Sequence, residues 1–576
     1  MPIRGSKCLR ESFISYEKQK QVTFAHVKHV VNNNNVCFTS RSRKRVDVLP
    51  FPNPRLFPCS NPRMSLPEVK LPTIPTKHLR ISYTSSKRPN SYQPTTISTA
   101  NTATTMTTTS PTHVLVFPYP AQGHMIPLLD LTHHLAQKGL TITVLVTPKN
   151  LSILAPLLAS NPSIQTLVLP FPGHPSLPPG VEHLKDIGNR GNLGIMAALS
   201  KLHQPIKEWI KEHTSPPKAI LSDFFLGWTT ELATEVSIPR IVFFSSGCFF
   251  ACINSHLWLN RATLVGLPVV EFPDLPRSPS LIEAHLPSQF IKVKASDPQS
   301  ENIRKGILGN LASWGCVFNS FHALEGDYLD HMKNKYFVQG RVYGLGPLNL
   351  MGGPMHSRPS ETVSDARHEV LDWLDDRPDG SVLYVSFGTQ KFLTRAQTEA
   401  LGLALERSLT RFIWVLRAPK GEEERLEHET LDLEERVKGR GFVIKHWAPQ
   451  VEILGHRAVG GFLSHCGWNS VLESLAAGVM ILAWPMEADQ YINAKLLVED
   501  AGVAVKVCEG PETVPEPDEL ARVISAAFTG ETPQKKKTAE MREKVYNAVD
   551  VDRRGSSIIV LDELVKELTQ LAHLEL

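Results

Sequence analysis

The sequence predicts an α/β protein built from two doubly wound, Rossmann-like domains. Three observations carry this: short apolar strands alternate with amphipathic helices from His113 onward; a Gly- and Pro-dense break, "GLGPLNLMGGPMHSRPSETVSD", splits the alternation into two series; and the first 105 residues take no part in it. Alternating β and α segments are the pattern of a parallel sheet covered by helices.

The first series opens with "HVLVFPY" as a buried strand, "IPLLDLTHHLAQK" as a helix closed by Gly139, and "LTITVLVT" as the next strand, a βαβ unit. It recurs as "AILSDFF" before a helix at Thr229 to Val236, then "RIVFFSS" and "GCVFNSF". After the break come "SVLYVSFG", a helix near Ala396 to Leu409, "RFIWVLR", "GFVIKHW", "VGGFLSH", a short helix, "VMILAWP" and "VAVKV". The expected boundaries are an N-terminal domain over 111–345, a linker over 346–365, a second domain over 366–554 and a closing helix over 555–576. That last segment, "SIIVLDELVKELTQLAHL", suits either domain.

The leading segment is different in kind. Residues 1–105 carry 17 Lys and Arg against 4 Asp and Glu, a formal +13, while the other 471 residues hold 44 basic and 53 acidic groups, a formal −9. A nucleic-acid partner is excluded, because the basic excess lacks aromatic interleaving and the part that folds is acidic. "NNNN" at Asn32 to Asn35, many Pro and the Thr/Ser-rich "TTISTANTATTMTTTSPT" predict disorder over 1–110. The Arg- and Ser-rich, acid-poor character suits an organelle transit peptide, and "RSRKR" a nuclear signal; the plainer alternative is that Met106 is the working start.

Eight scattered Cys show no CxxC pair, so reduced thiols in the cytoplasm are expected. No run reaches about eighteen apolar residues. The richest, "IVFFSSGCFFACI", reads as buried core, and no membrane insertion is expected.

In an open parallel sheet, ligands bind beyond the carboxyl ends of the strands, where helix N-termini point free N–H groups outward. "GGFLSH" ends as a strand at His465, Gly467 lets the backbone turn, and Asn469 or Ser470 starts a helix that runs to Ala477 and stops at Gly478. This predicts a phosphate seat. No Lys or Arg lies between Ala458 and Gln490, so backbone amides, hydroxyl and Asn donors, and His465 must meet the charge. No carboxylate cluster suits Mg²⁺, and His465 and Cys466 lack further zinc ligands at the right spacing; no metal is expected. Ser470-Val-Leu-Glu473 also reads as a capping box that does no more than start a helix.

The 44 residues "WAPQVEILGHRAVGGFLSHCGWNSVLESLAAGVMILAWPMEADQ", Trp447 to Gln490, closely resemble the secondary-product box of plant family 1 UDP-dependent glycosyltransferases. The resemblance runs from about Thr112 to the C-terminus and implies a GT-B fold, two such domains facing a cleft. It further implies that Trp447 stacks on uracil, that Gln450 lies beside base and ribose, and that Ala448 is among the donor-binding positions. Glu473 would accept bonds from ribose hydroxyls; His465, Asn469 and Ser470 would hold the diphosphate, with Gly467 giving close approach. Trp468, Asp489 and Gln490 would contact the sugar, and Thr389 in "SFGT" would meet the phosphates from another loop. The terminal Gln favours UDP-glucose, a co-substrate and not a cofactor, and leaves UDP-xylose open.

The same resemblance places a catalytic pair at His124, in "PYPAQGHMIP", and Asp223, at the end of "AILSD". The reading from the residues alone leaves His124 as a helix-start surface residue and Asp223 as an N-cap near Trp228. The resemblance implies an inverting transfer of glucose to a hydroxyl of a small phenolic, a flavonoid or flavonol, by a monomer, with UDP-xylose or another UDP-sugar and a benzoate or terpenoid acceptor as the alternative. The aromatic "DFFLGW" and "GCFFACINSHLW" suit an apolar acceptor pocket, and buried core equally well. Two rivals are a nucleotide-sugar sensor without turnover and a nicotinamide oxidoreductase; the second is disfavoured because no GxGxxG follows a strand.

Overall fold

The structure is a computed structural model that describes residues 111–292, 298–354, 364–417, 432–437, 439–445 and 447–571. The disorder expected over 1–110, and the part of the linker at 355–363, lie outside the described residues.

Two parallel sheets form the frame. The first joins β1 (His113–Phe117), β2 (Thr141–Val146), β3 (Gln165–Val168), β4 (Ala219–Asp223), β5 (Arg240–Phe244), β8 (Gly315–Phe318) and β9 (Val342–Gly344) in the order β3-β2-β1-β4-β5-β8-β9. A small antiparallel hairpin, β6 (Val269–Glu271) and β7 (Ser280–Ile282), stands apart from it. The second sheet joins β10 (Val382–Ser386), β11 (Arg411–Val415), β12 (Gly441–Ile444), β13 (Val459–Ser464), β14 (Met480–Ala483) and β15 (Ala504–Lys506) in the order β12-β11-β10-β13-β14-β15. In each sheet the chain winds outward one way, then returns to the other side of the first strand. Each therefore has one switch point, between β1 and β4 and between β10 and β13, where a crevice opens at the carboxyl ends.

Successive residues of a strand face opposite sides of the sheet. Val114 and Val116 thus join one core with Leu128, Leu131 and Leu135 of the Gln122–Gln137 helix, while Leu115 and Phe117 join another with Ile195, Leu199 and Ile206. In the second sheet, Leu383 and Val385 pack on Leu401 and Leu405; Val382 and Tyr384 pack on Val370, Leu374 and Ile453. The edge strand β3 was not expected: three of its four residues are exposed, so its Leu167 and Val168 do not belong to a continuous buried face.

The closing helix, Ser556–Gln570, covers the first sheet although it follows the second in sequence. Its Leu561, Leu564 and Leu568 sit in the core of Val114 and Val144, and Ser557 Oγ donates to the Gly346 carbonyl at 2.6 Å. The Cys248–Leu259 helix that follows β5 buries ten of its twelve residues, so "CFFACI" is interior helix. Among the described residues no helix is long and apolar enough to cross a membrane.

Candidate active site

The first switch point brings His124 and Asp223 together. Ala121, extended at φ −137°, precedes the Gln122–Gln137 helix, which sets His124 in its first turn just beyond β1. Asp223 ends β4, the neighbour of β1 on the other side of the switch, and is fully buried. His124 Nδ1 lies 2.9 Å from Asp223 Oδ2 and 3.0 Å from Ser245 Oγ. A carboxylate only accepts, so Nδ1 is a protonated nitrogen in this contact.

Asp223 does two jobs. Its other oxygen, Oδ1, accepts from Phe225 N at 2.9 Å and so caps the short turn Phe224–Leu226, the N-cap role that the residues alone suggested, one turn earlier than expected. That turn presents Phe224 and Phe225 to the imidazole, with ring centroids 5.4 and 4.8 Å from it; Tyr119 stands 5.3 Å away on another side. Three aromatic rings confine the ring of His124. Sequence reasoning flagged "DFFLGW" but missed Tyr119 and Ser245, which lie in otherwise apolar strand ends.

The second switch point assembles the predicted donor residues. β13 ends at Ser464, Cys466 turns the chain at φ +63°, and the helix Trp468–Ala477 begins with Gly467 as its N-cap. A left-handed residue other than Gly is strained. Here Ser464 Oγ accepts from Cys466 N at 3.1 Å and Asn493 Nδ2 donates to Cys466 O at 3.0 Å, holding the turn. The helix starts one to two residues earlier than expected, so Ser470 lies inside its first turn and caps nothing. The capping box does not form. Instead Gln450 Nε2 donates to Ser470 Oγ at 3.0 Å and to Glu473 Oε2 at 2.6 Å, while Tyr384 donates to Gln450 Oε1 at 3.2 Å.

His465 is wedged between two glycines. A Cβ on Gly388, which sits at φ +74°, would stand 2.7 Å from His465 Nε2, and one on Gly467 would stand 2.5 Å from it. Burial pushes this histidine down to about 4, so the ring is neutral and offers a hydrogen bond without a charge. Trp447 is exposed beside half-buried Ala448. Thr389 is exposed in the loop after β10, on the other side of this switch. Its carbonyl accepts from Arg417 Nη1 at 2.6 Å. Arg417, just past the carboxyl end of β11, lies outside the cation-free stretch Ala458–Gln490; an Arg closing an apolar strand was the available signal.

Trp468, Asp489 and Gln490 are more constrained than the expectation implied. The Trp468 indole is buried against the first domain, its Nε1 donating to Asn319 O at 2.8 Å. Gln490 Oε1 accepts from Met486 N and Glu487 N at 3.0 Å each. Asp489 accepts from Asn493 Nδ2 at 3.0 Å; burial raises its carboxyl, and the charge of nearby His124 opposes this. The two switch points therefore meet. Asn469 Nδ2 donates to Gly123 O at 3.1 Å, joining the start of the second-domain helix to the residue before His124.

The family described as "UDP-glucoronosyl and UDP-glucosyl transferase" matches residues 352–514. UDP-glycosyltransferase 89A2 of Arabidopsis thaliana is 48% identical over 463 residues, covering 79% of this chain and 96% of that protein. The chain belongs to the plant family 1 UDP-glycosyltransferases. A flavonol 3-O-glucosyltransferase of Arabidopsis thaliana is 46% identical over 468 residues, covering 80% of this glycosyltransferase and 97% of that one. The crystal structure of Arabidopsis thaliana UGT89C1 with UDP-L-rhamnose is 37% identical, covers 80% of this chain and all of that one, and superposes with a TM-score of 0.65. This UDP-glycosyltransferase is therefore a GT-B transferase of UDP-sugars acting on plant small molecules.

Proposed function

We propose that this glycosyltransferase moves glucose from UDP-glucose, with inversion and without a metal, to a hydroxyl of a flavonol or related phenolic. The observation that carries this reading is the His124–Asp223 pair at 2.9 Å, joined by the Asn469–Gly123 bond to the helix end that would seat the diphosphate. In this mechanism the acceptor hydroxyl gives its proton to His124 Nε2 while its oxygen attacks the anomeric carbon. The bond from that carbon to the β-phosphate oxygen breaks, and UDP leaves. Asp223 holds the tautomer and steadies the imidazolium. An α-linked donor then yields a β-glycoside.

The donor roles follow the same reading. Trp447 and Ala448 flank the uracil; Gln450 and Glu473 take the ribose; His465, Gly467, Asn469, Ser470 and Thr389 receive the diphosphate; and Trp468, through its backbone, Asp489 and Gln490 address the sugar. The acceptor belongs to 111–345 and the donor to 366–554. The flavonol 3-O-glucosyltransferase relative supports the acceptor class. The UDP-L-rhamnose complex favours a deoxyhexose donor as the second reading. A cytosolic location fits the buried free thiols of Cys248, Cys252, Cys316 and Cys466.

The test is UDP release by purified enzyme with UDP-glucose, UDP-xylose and UDP-rhamnose against a flavonol and phenolic panel. His124→Ala is expected to lose about 10² to 10⁴ in kcat. Full turnover by that variant would overturn the assigned base, and donor binding without turnover on any acceptor would favour a sensor.

A further inference from the structure

Behind the His124–Asp223 pair lies a buried cation that the mechanism above does not use. Arg240, the first residue of β5, is 2% exposed. Its guanidinium donates to five oxygens: Nε to Ser222 Oγ at 2.9 Å, Nη1 to Thr230 Oγ1 at 3.2 Å, to Asn310 Oδ1 at 2.9 Å and to Ser313 Oγ at 2.8 Å, and Nη2 to the Asp223 carbonyl at 3.2 Å. All five acceptors are neutral. Among the described residues Arg240 has no carboxylate within ion-pair distance. A buried cation held in contact by neutral groups alone, with the Asp223 carboxylate acting on it only at longer range, is unfavourable, so such a group points to a purpose beyond packing.

The surrounding bonds show what the cation holds. Three carbonyls of the turn that carries Asp223, Phe224 and Phe225 are tied down from behind: Asp223 O by Arg240, Phe224 O by Asn310 Nδ2 at 2.9 Å, and Leu226 O by Thr229 Oγ1 at 2.7 Å. Asn310 links the set by accepting from Arg240 with its oxygen and donating to the turn with its nitrogen. Ser222, which accepts from Arg240, lies 2.8 Å from Thr229 Oγ1. The guanidinium is thus the hub of a closed network under the turn that aims the carboxylate at His124.

We propose that Arg240 is a positioning residue for the His124–Asp223 pair: it locks the Asp223–Leu226 turn and is the buried counter-charge that keeps the pair in its proton-accepting form near neutral pH. This deepens the proposed function and rests on that assignment of the base. Burial draws Arg240 down to about 9, with Asp223 acting against it, so the group is charged at neutral pH. The other titratable and charged groups facing the pair are Tyr119, whose phenol burial and the Asp223 charge both raise, and Asp489, which feels the charge of His124. Of these, Arg240 alone is positive. Taking away its charge lets the pair gain its proton at a higher pH.

The experiment compares kcat, KM and the pH profile of kcat/KM for wild type, Arg240→Met, Arg240→Gln and Arg240→Lys in the full chain. Arg240→Met is expected to lose about ten- to a hundredfold in kcat through misplacement of Asp223. Its acid limb should move up by about one pH unit, with KM for UDP-glucose unchanged. Arg240→Lys, charged but without the fork of donors, should lose rate and keep the wild-type limb. Arg240→Gln keeps an amide donor and removes the charge, so it carries the limb test if Arg240→Met does not fold. A neutral variant with the wild-type limb, or a Lys variant whose limb moves as far as the neutral ones, overturns the proposal. Full turnover by His124→Ala would instead bring down the reading on which it rests.

Discussion

At the scale of single residues, protonation state is set by burial more than by residue type. His465 and His134 are both pushed down to about 4, desolvation being the first cause in each, and for His134 the charges of His133 and Lys138 act in the same direction. The unfolded chain titrates near 6.5, so between that value and about 4 it binds protons that the folded chain refuses. The stability tied to these groups is complete above pH 6.5 and drains as pH falls toward 4, by on the order of 1.4 kcal/mol per unit of difference. Melting temperature is therefore expected to fall with acid across that window, and His134→Gln should flatten the slope. An unchanged slope would show that His134 is protonated in the folded state. Neutral His465 bears on the proposed diphosphate seat, where a bound phosphate would meet a dipole in place of a charge; the Arg417 guanidinium donates to the Thr389 carbonyl in the loop after β10.

At the scale of elements, capping decides where helices start and stop, and two caps show how context selects among similar motifs. Thr394 and Gln397 form a true capping box: Thr394 Oγ1 accepts from Gln397 N at 3.3 Å, and Gln397 Oε1 accepts from Thr394 N at 3.0 Å. The equally plausible Ser470–Glu473 box does not form, because the helix starts at Trp468 with Gly467 as its N-cap and Gln450 engages both side chains. The other end of the Arg395–Ser408 helix is strained. Leu409 sits at φ +57° with 74% of its surface exposed, a position that glycine fills without a Cβ clash. Leu409→Gly is expected to raise unfolding stability by about 0.5 to 1 kcal/mol, the relief of the left-handed penalty less the added freedom of the unfolded chain. Urea denaturation checks this; a loss of stability would mean that the Leu side chain packs more than its exposure indicates. Strand and helix types along both series were legible from apolar periodicity. The exposed β3 and the hairpin β6–β7 were not, since neither carries a continuous buried face.

At the scale of the whole molecule, the two sheets act as one body because contacts cross between them at the cleft. Trp468 bonds to Asn319 and Asn469 to Gly123, while Tyr328 donates to Asp500 at 2.7 Å and His285 stacks on Tyr491 with centroids 4.6 Å apart. One apolar core runs through both, uniting Phe244, Phe318 and Met332 with Trp468, Leu475 and Val545. The closing helix adds a covalent strap, leaving the second domain to cover the first. Leu564, 1% exposed, anchors it. Leu564→Ala should cost about 2 to 5 kcal/mol. Hydrogen exchange should then speed up in β1 and β2, far away in sequence, before it does in β10 and β11; acceleration confined to the second sheet would contradict this arrangement.

The sequence by itself determined the α/β class, the two series of strands, the glycosyltransferase family and the residues gathered at the two switch points. The class and the series are written in short windows, where apolar periodicity suffices; the family and the site residues came from the resemblance of the Trp447–Gln490 segment to a known box. Only the tertiary structure decided which sheet the last helix covers, that Trp468 turns its indole to Asn319, that His465 is neutral, and that Arg240 lies beneath Asp223. The physical reason is common to all four: burial and hydrogen-bond partnership are properties of what surrounds a group in space, and those surroundings come from segments far apart along the chain.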